Sequence, residues 1–110
     1  MDYYTIIPAL VVNVRPEGET VEGNTRYRVT LWDANTRVRI EALTPESSSV
    51  GFAAATFIRG DAVVAEVSVR GWESPTLDAI RPFSDEDRHL VEAHRQHVFP
   101  LLEEGRNPRL

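Results

Sequence analysis

Neither cysteine nor lysine occurs among the 110 residues. Without cysteine there is no disulfide framework, zinc-thiolate site, iron-sulfur cluster or thiol nucleophile, so the fold must be held by its own core. Without lysine, all 12 basic residues are arginines, whose planar guanidinium grips phosphate with two parallel donors and stacks on rings. Long apolar runs are missing too. The longest, Ile6 to Val12, is seven residues and contains Pro8, whereas a bilayer-spanning helix needs about 20. Met1-Asp2-Tyr3-Tyr4 carries an acid where a secretory signal is basic, and no apolar segment with a small-residue cleavage site follows. The expectation is a cytoplasmic protein with no membrane contact.

What is present is ordinary for one compact domain: 42% hydrophobic and 26% charged residues in a chain of single-domain length. The net charge is -5, but it is unevenly spread. Residues 1–23 hold one arginine and four acids, residues 24–72 six arginines and five acids, and residues 73–110 five arginines and eight acids. The middle is therefore the least acidic part.

Periodicity marks the elements. Thr5 to Val14 is apolar at both parities, as in a strand packed on both faces or coiled around a small barrel, and Pro8 sets its start at an edge. Arg15 to Asn24 is acidic and rich in Gly and Pro, a solvated loop. Thr25 to Trp32 alternates, with Tyr27, Val29 and Leu31 facing in and Arg26, Arg28, Thr30 and Trp32 facing out. After the turn Asp33 to Thr36, Arg37 to Leu43 alternates again with Val38, Ile40 and Ala42 inward, which predicts a hairpin. Val50 to Arg59 reads as a short helix stopped by Gly60. Ala62 to Trp72 is a valine-rich fourth strand that ends on Arg70 and Trp72, and Thr76 to Phe83 is a fifth. Ser84 then caps a helix over residues 84–104 with acids in its first turn. Leu90, Val91, His94, Val98, Leu101 and Leu102 form its apolar stripe, and residues 105–110 are a tail.

Five strands with a helix between the third and fourth is the element order of the OB-fold, a small Greek-key barrel. Over residues 5–83 the chain resembles the bacterial and phage single-stranded DNA-binding protein family. The resemblance is carried by Phe57-Ile58-Arg59-Gly60-Asp61-Ala62-Val63-Val64-Ala65-Glu66-Val67 and by Leu77-Asp78-Ala79-Ile80. It implies a mainly β, five-stranded barrel over residues 1–83, a homo-oligomer, single-stranded nucleic acid as partner with DNA ahead of RNA, and a place in phage or mobile-element replication. The turns Asp33 to Thr36 and Gly71 to Pro75 are shorter than the DNA-wrapping hairpins of that family, and an acidic helix stands where its flexible tail would be.

The outward residues support a binding face independently: Arg26, Arg28, Trp32, Arg37, Arg39, Arg70 and Trp72 combine cations with two indoles. Single strands need both, cations for the backbone and flat rings for the bases. Two other readings use the same residues. In one the arginines pair with Glu41 and Glu66 and the tryptophans pack under the terminal helix. In the other the barrel is a protein-interaction module, docking a partner through that helix. No catalytic residue, metal or cofactor is expected. His94 and His97 are spaced for a metal but lack a third ligand, and Ser47-Ser48-Ser49 sits in no nucleophile elbow.

Overall fold

The computed structural model describes residues 3–19, 23, 25–45 and 48–91. Five strands, β1 (Tyr3–Glu19), β2 (Thr25–Asp33), β3 (Arg39–Leu43), β4 (Ala62–Val69) and β5 (Thr76–Pro82), close into a barrel in the order β1-β2-β3-β5-β4. One helix, α1 (Ser48–Ala55), lies between β3 and β4, and a short 3-10 segment (Asp85–Leu90) follows β5. No helix among the described residues is long and apolar enough to cross a membrane.

β1 is the longest strand because it serves two neighbours. Tyr3 to Leu10 pair antiparallel with β4, and Ala9 to Glu19 pair antiparallel with β2. A register shift between Val11 and Asn13 lets the strand bend from one sheet edge to the other. Both parities are apolar before that shift because both faces of the strand are packed. Ile7, Ala9 and Val11 point into the barrel with Val29, Leu31, Ala42, Val63, Ala65, Val67, Leu77 and Ile80. Leu10 and Val12 belong to a second cluster, with Trp32, Ala34 and Val91. The strand extends five residues past its expected end, so the expected loop over Arg15 to Glu19 is paired backbone instead.

α1 seals the barrel with buried Ala54, while Val50, Ala53 and Phe57 pack on the same core. Gly51 faces β2 so closely that a Cβ there would sit 3.2 Å from the Thr25 carbonyl oxygen. The helix ends four residues before the expected Arg59. Thr56 and Phe57 donate their amides to Ala53 and Ala54, tightening the last turn. Gly60 acts later, with φ of +95°, in the turn that donates its N–H to the Val11 carbonyl at 2.8 Å.

The outer surface of β1 is covered by the segment after β5. Its first turn is a capped one: the Ser84 backbone N–H donates to Asp87 Oδ2 at 2.9 Å and the Asp87 N–H returns to the Ser84 carbonyl at 2.9 Å. Asp87 is 3% exposed and receives both arms of the Arg81 guanidinium, at 2.6 and 2.7 Å. Asn35 Nδ2 ties the far end down through the Leu90 carbonyl at 2.8 Å. The expected capping serine is in place, but the described turn is 3-10 rather than α-helical. Residues 92–104 of the expected helix, with His94, His97, Val98, Leu101 and Leu102, lie outside the described residues, as does the tail.

The clasp carries a pH signature. Hydrogen bonds from Arg81, then those from Ser84, hold the Asp87 carboxyl down at about 2, while its burial opposes them. A carboxyl lowered on folding contributes stability above its unfolded value, about 3.9 for aspartate, and loses it as pH falls towards 2. Asp87→Asn is expected to cost about 1 to 2 kcal/mol at neutral pH, since one partner is buried but Arg81 is half exposed and screened. Urea melts between pH 7 and 2 check this. The variant should lose less stability than the parent between pH 4 and 2, and parallel acid limbs would refute the clasp.

Candidate nucleic-acid interface

The outer face of β1, β2 and β3 carries Arg15, Arg26, Arg28 and Arg39. β2 alternates as expected, so Arg26 and Arg28 point outward while Val29 and Leu31 are buried. Arg28 lies directly across from Arg15 on β1. Like charges set opposite each other on one sheet face destabilise it, and Glu17 compensates. It takes Arg28 Nε on one carboxylate oxygen and Nη2 on the other, the latter at 3.0 Å. That hydrogen bond holds the Glu17 carboxyl below the ordinary glutamate range. Arg26 is tied differently, its Nε donating to the Thr44 carbonyl at 3.1 Å.

Beside this ladder the barrel wall is incomplete. β3 meets β5 in parallel at one position only, Leu43 with Thr76, reinforced by the Leu43 N–H donating to the Pro75 carbonyl at 3.0 Å. The rest of β3 has no partner on that side in the strand register. The gap is an open cleft of about 450 Å³ lined by Arg28, Arg39, Ile40, Glu41, Ser74 and Pro75. Arg39 is exposed at its rim. Glu41 lies between, with Oε2 at 3.8 Å from Arg28 Nη1 and Oε1 at 3.5 Å from Thr30 Oγ1.

Ser74 and Pro75 belong to the turn after β4, which also carries Arg70 and Trp72. The Glu73 N–H donates to the Arg70 carbonyl at 3.0 Å, closing a tight turn. Gly71 takes a φ of +57° inside it, a left-handed conformation that glycine adopts at no steric cost. The turn ends β4 at Val69, so Trp72 is not on the strand as expected but on the tip, where its indole is fully exposed.

Trp32 overturns its expectation. It occupies the outward parity of β2 but is only 2% exposed, because Leu10, Val12, Ala34 and Val91 pack with it beneath the 3-10 segment. An outward-facing tryptophan next to a second layer becomes core rather than a stacking platform. Arg37 does not line the cleft either, lying on the β2–β3 turn with a φ of +61°, its N–H donating to the Asp33 carbonyl at 2.8 Å. Of the seven expected residues, the cleft brings together Arg28 and Arg39, with Arg70 and Trp72 on the turn that forms its other wall.

Sequence reasoning missed Arg15, Ile40, Glu41, Ser74 and Pro75. Arg15 was hidden because the sequence places it in a solvated loop, whereas β1 continues through it to Glu19 and a register shift before Asn13 turns it outward. Only the β3–β5 gap brings Glu41 beside the turn residues, and no local pattern reports such a gap. Among the described residues no three of His, Asp and Glu come together as a metal site, and His89 is exposed, its Nδ1 at 2.9 Å from the Glu86 carbonyl. Comparison of the chain with family models, curated proteins and solved structures finds no match.

Proposed function

We propose that the chain is a non-enzymatic OB-fold protein that binds single-stranded nucleic acid, DNA ahead of RNA, across the β2–β3 face and the turn after β4. The strand order β1-β2-β3-β5-β4, with α1 between β3 and β4, supports the fold assignment. One observation carries the function: a cleft walled by Arg28 and Arg39 adjoins a turn that holds a fully exposed indole. Guanidinium groups bind phosphate through paired, charge-assisted hydrogen bonds, and an exposed ring gives an unstacked base a surface. The opposed Arg15 and Arg28 fit the same reading, because a phosphate that displaces Glu17 would take over the compensation that carboxylate now provides. The overall charge of -5 opposes approach at a distance, so binding depends on these local contacts.

Fluorescence anisotropy with labelled oligo-dT tests the reading. Affinity should fall steeply with salt, by about 0.7 in log-log slope for each phosphate neutralised on a single strand, so a slope near -1.4 to -2 corresponds to two or three arginine contacts. No binding at micromolar protein in low salt overturns it. A second reading, a module that docks a protein, is favoured by Phe52 on α1 and Ile58 just after it, each 70% exposed. It predicts no oligonucleotide binding, together with a loss of partner capture in Phe52→Ser.

A further inference from the structure

Glu41 is the one cleft residue that a nucleic-acid backbone would repel, and it is the more distant of the two acids beside Arg28. Arg28 is already held by both oxygens of Glu17. Glu41 stands 3.8 Å from the same guanidinium, beyond hydrogen-bond reach, and its other oxygen is 3.5 Å from Thr30 Oγ1, at the outer limit. A carboxylate has about four acceptor sites, so these two long contacts leave capacity on a side chain that lines the cleft. The backbone beside it is open as well. Leu43 turns its N–H towards Pro75, and backbone direction alternates along a strand. Arg39 and Glu41 therefore present their N–H and C=O groups to the same side, where the strand register gives them no β5 partner.

We propose that this cleft reads the Watson-Crick edge of a guanine, with Glu41 as the specificity-determining acceptor; the proposal rests on the nucleic-acid reading above. Guanine is the base that sets two donors side by side, N1–H and N2–H, matching the two oxygens of a carboxylate. Its O6 accepts, and Arg39 or the unpaired N–H groups of β3 supply a donor. Thymine meets the same carboxylate badly, because its single N3–H is flanked by two carbonyl oxygens. Adenine and cytosine each offer one amino group beside a ring acceptor. The cleft volume of about 450 Å³ accommodates one base, while Trp72 on the adjoining turn offers a stacking face for that base or its neighbour.

The test uses the full chain and anisotropy competition among labelled dT15, the same strand with one central dG, and one with deoxyinosine, which lacks the N2 amino group. The dG strand should bind about ten-fold tighter than dT15, the discrimination of a modest bidentate base contact, and deoxyinosine should lose most of that gain. Glu41→Gln should bring the dG-to-dT ratio close to one, because an amide offers one acceptor and sets a donor against the guanine donors. Circular dichroism confirms that the variant, altered at an exposed position, is folded. Equal binding of all three strands by the parent overturns the guanine reading alone, as does a ratio that survives Glu41→Gln. No binding of any strand overturns the nucleic-acid reading and this one with it.

Discussion

Trp32→Ala is expected to remove about 3 to 5 kcal/mol of folding stability, the usual cost of truncating a large buried aromatic. The indole is 2% exposed and is the largest member of the cluster that joins Leu10, Val12, Ala34 and Val91, with Ala62 and Phe83 against its edge. Two further contacts depend on it staying filled. Ala34 donates its N–H to the Pro8 carbonyl at 2.9 Å, and Asn35 holds the Leu90 carbonyl at 2.8 Å. Both connect the β2–β3 turn to layers that the indole spaces apart. Native domains of this size are stable by only about 5 to 15 kcal/mol, so the variant should melt far below the parent or fail to fold. Trp32→Phe keeps part of the volume and should cost less, about 1 to 2 kcal/mol. Urea titration of both variants decides the matter. A loss under 1 kcal/mol for the alanine variant would place the indole at the surface and restore it as a base-stacking residue.

That residue shows what alternation can and cannot report. Parity assigned Trp32 to the outside of the barrel, and its pairing with Leu10 and Arg39 agrees. Parity says nothing about a second layer. The cover is built by residues 84–91, far along the chain, through Arg81 and Asp87, which matches for Trp32, though not for Trp72, the alternative reading that tucks the tryptophans under the terminal segment. The inward sets of β2 and β4 were legible for the converse reason: Val29 and Leu31, and Val63, Ala65 and Val67, each face one continuous core that demands apolar residues at every second position. The cleft was half legible. Arg28 and Arg39 announce themselves as outward arginines on neighbouring strands, whereas Arg15 needs the register shift in β1 and Ser74 needs the incomplete β3–β5 seam. Both are consequences of barrel closure, which forces one strand to bend and another to part from its neighbour.

The arginines raise a question of charge that the acids around them sharpen. Within this face Arg28 is bound by Glu17 and approached by Glu41, so part of its charge is already balanced. An incoming phosphate must compete for it. Arg39 is exposed, and among the described residues no acid lies within ion-pair distance of it, which makes it the readier phosphate contact. The two arginines should thus differ: Arg39→Ala removes a contact made outright, while Arg28→Ala also releases Glu17 and leaves two carboxylates facing the ligand.

Trp72→Ala is expected to weaken binding of single-stranded oligonucleotide by about 1 to 3 kcal/mol, or roughly five-fold to more than a hundred-fold, the measured range for one stacked base. The folded protein should not notice the change. The indole is fully exposed on the turn Arg70 to Glu73, whose shape is set by Gly71 at a φ of +57° and the Glu73 to Arg70 hydrogen bond, so stability should stay within about 0.5 kcal/mol. The contrast with Trp32 is the sharpest available, since the two indoles of the chain then divide cleanly between core and ligand. Arg39→Ala should act on a different quantity, reducing the salt slope by close to one phosphate while leaving the stacking contribution intact. Anisotropy titrations at three salt concentrations separate the two effects: the Trp72→Ala line should lie parallel to the parent and below it, and the Arg39→Ala line should be shallower. A Trp72→Ala protein that binds as tightly as the parent, at an unchanged slope, would remove the turn from the interface and leave the cleft as an anion site without a base platform.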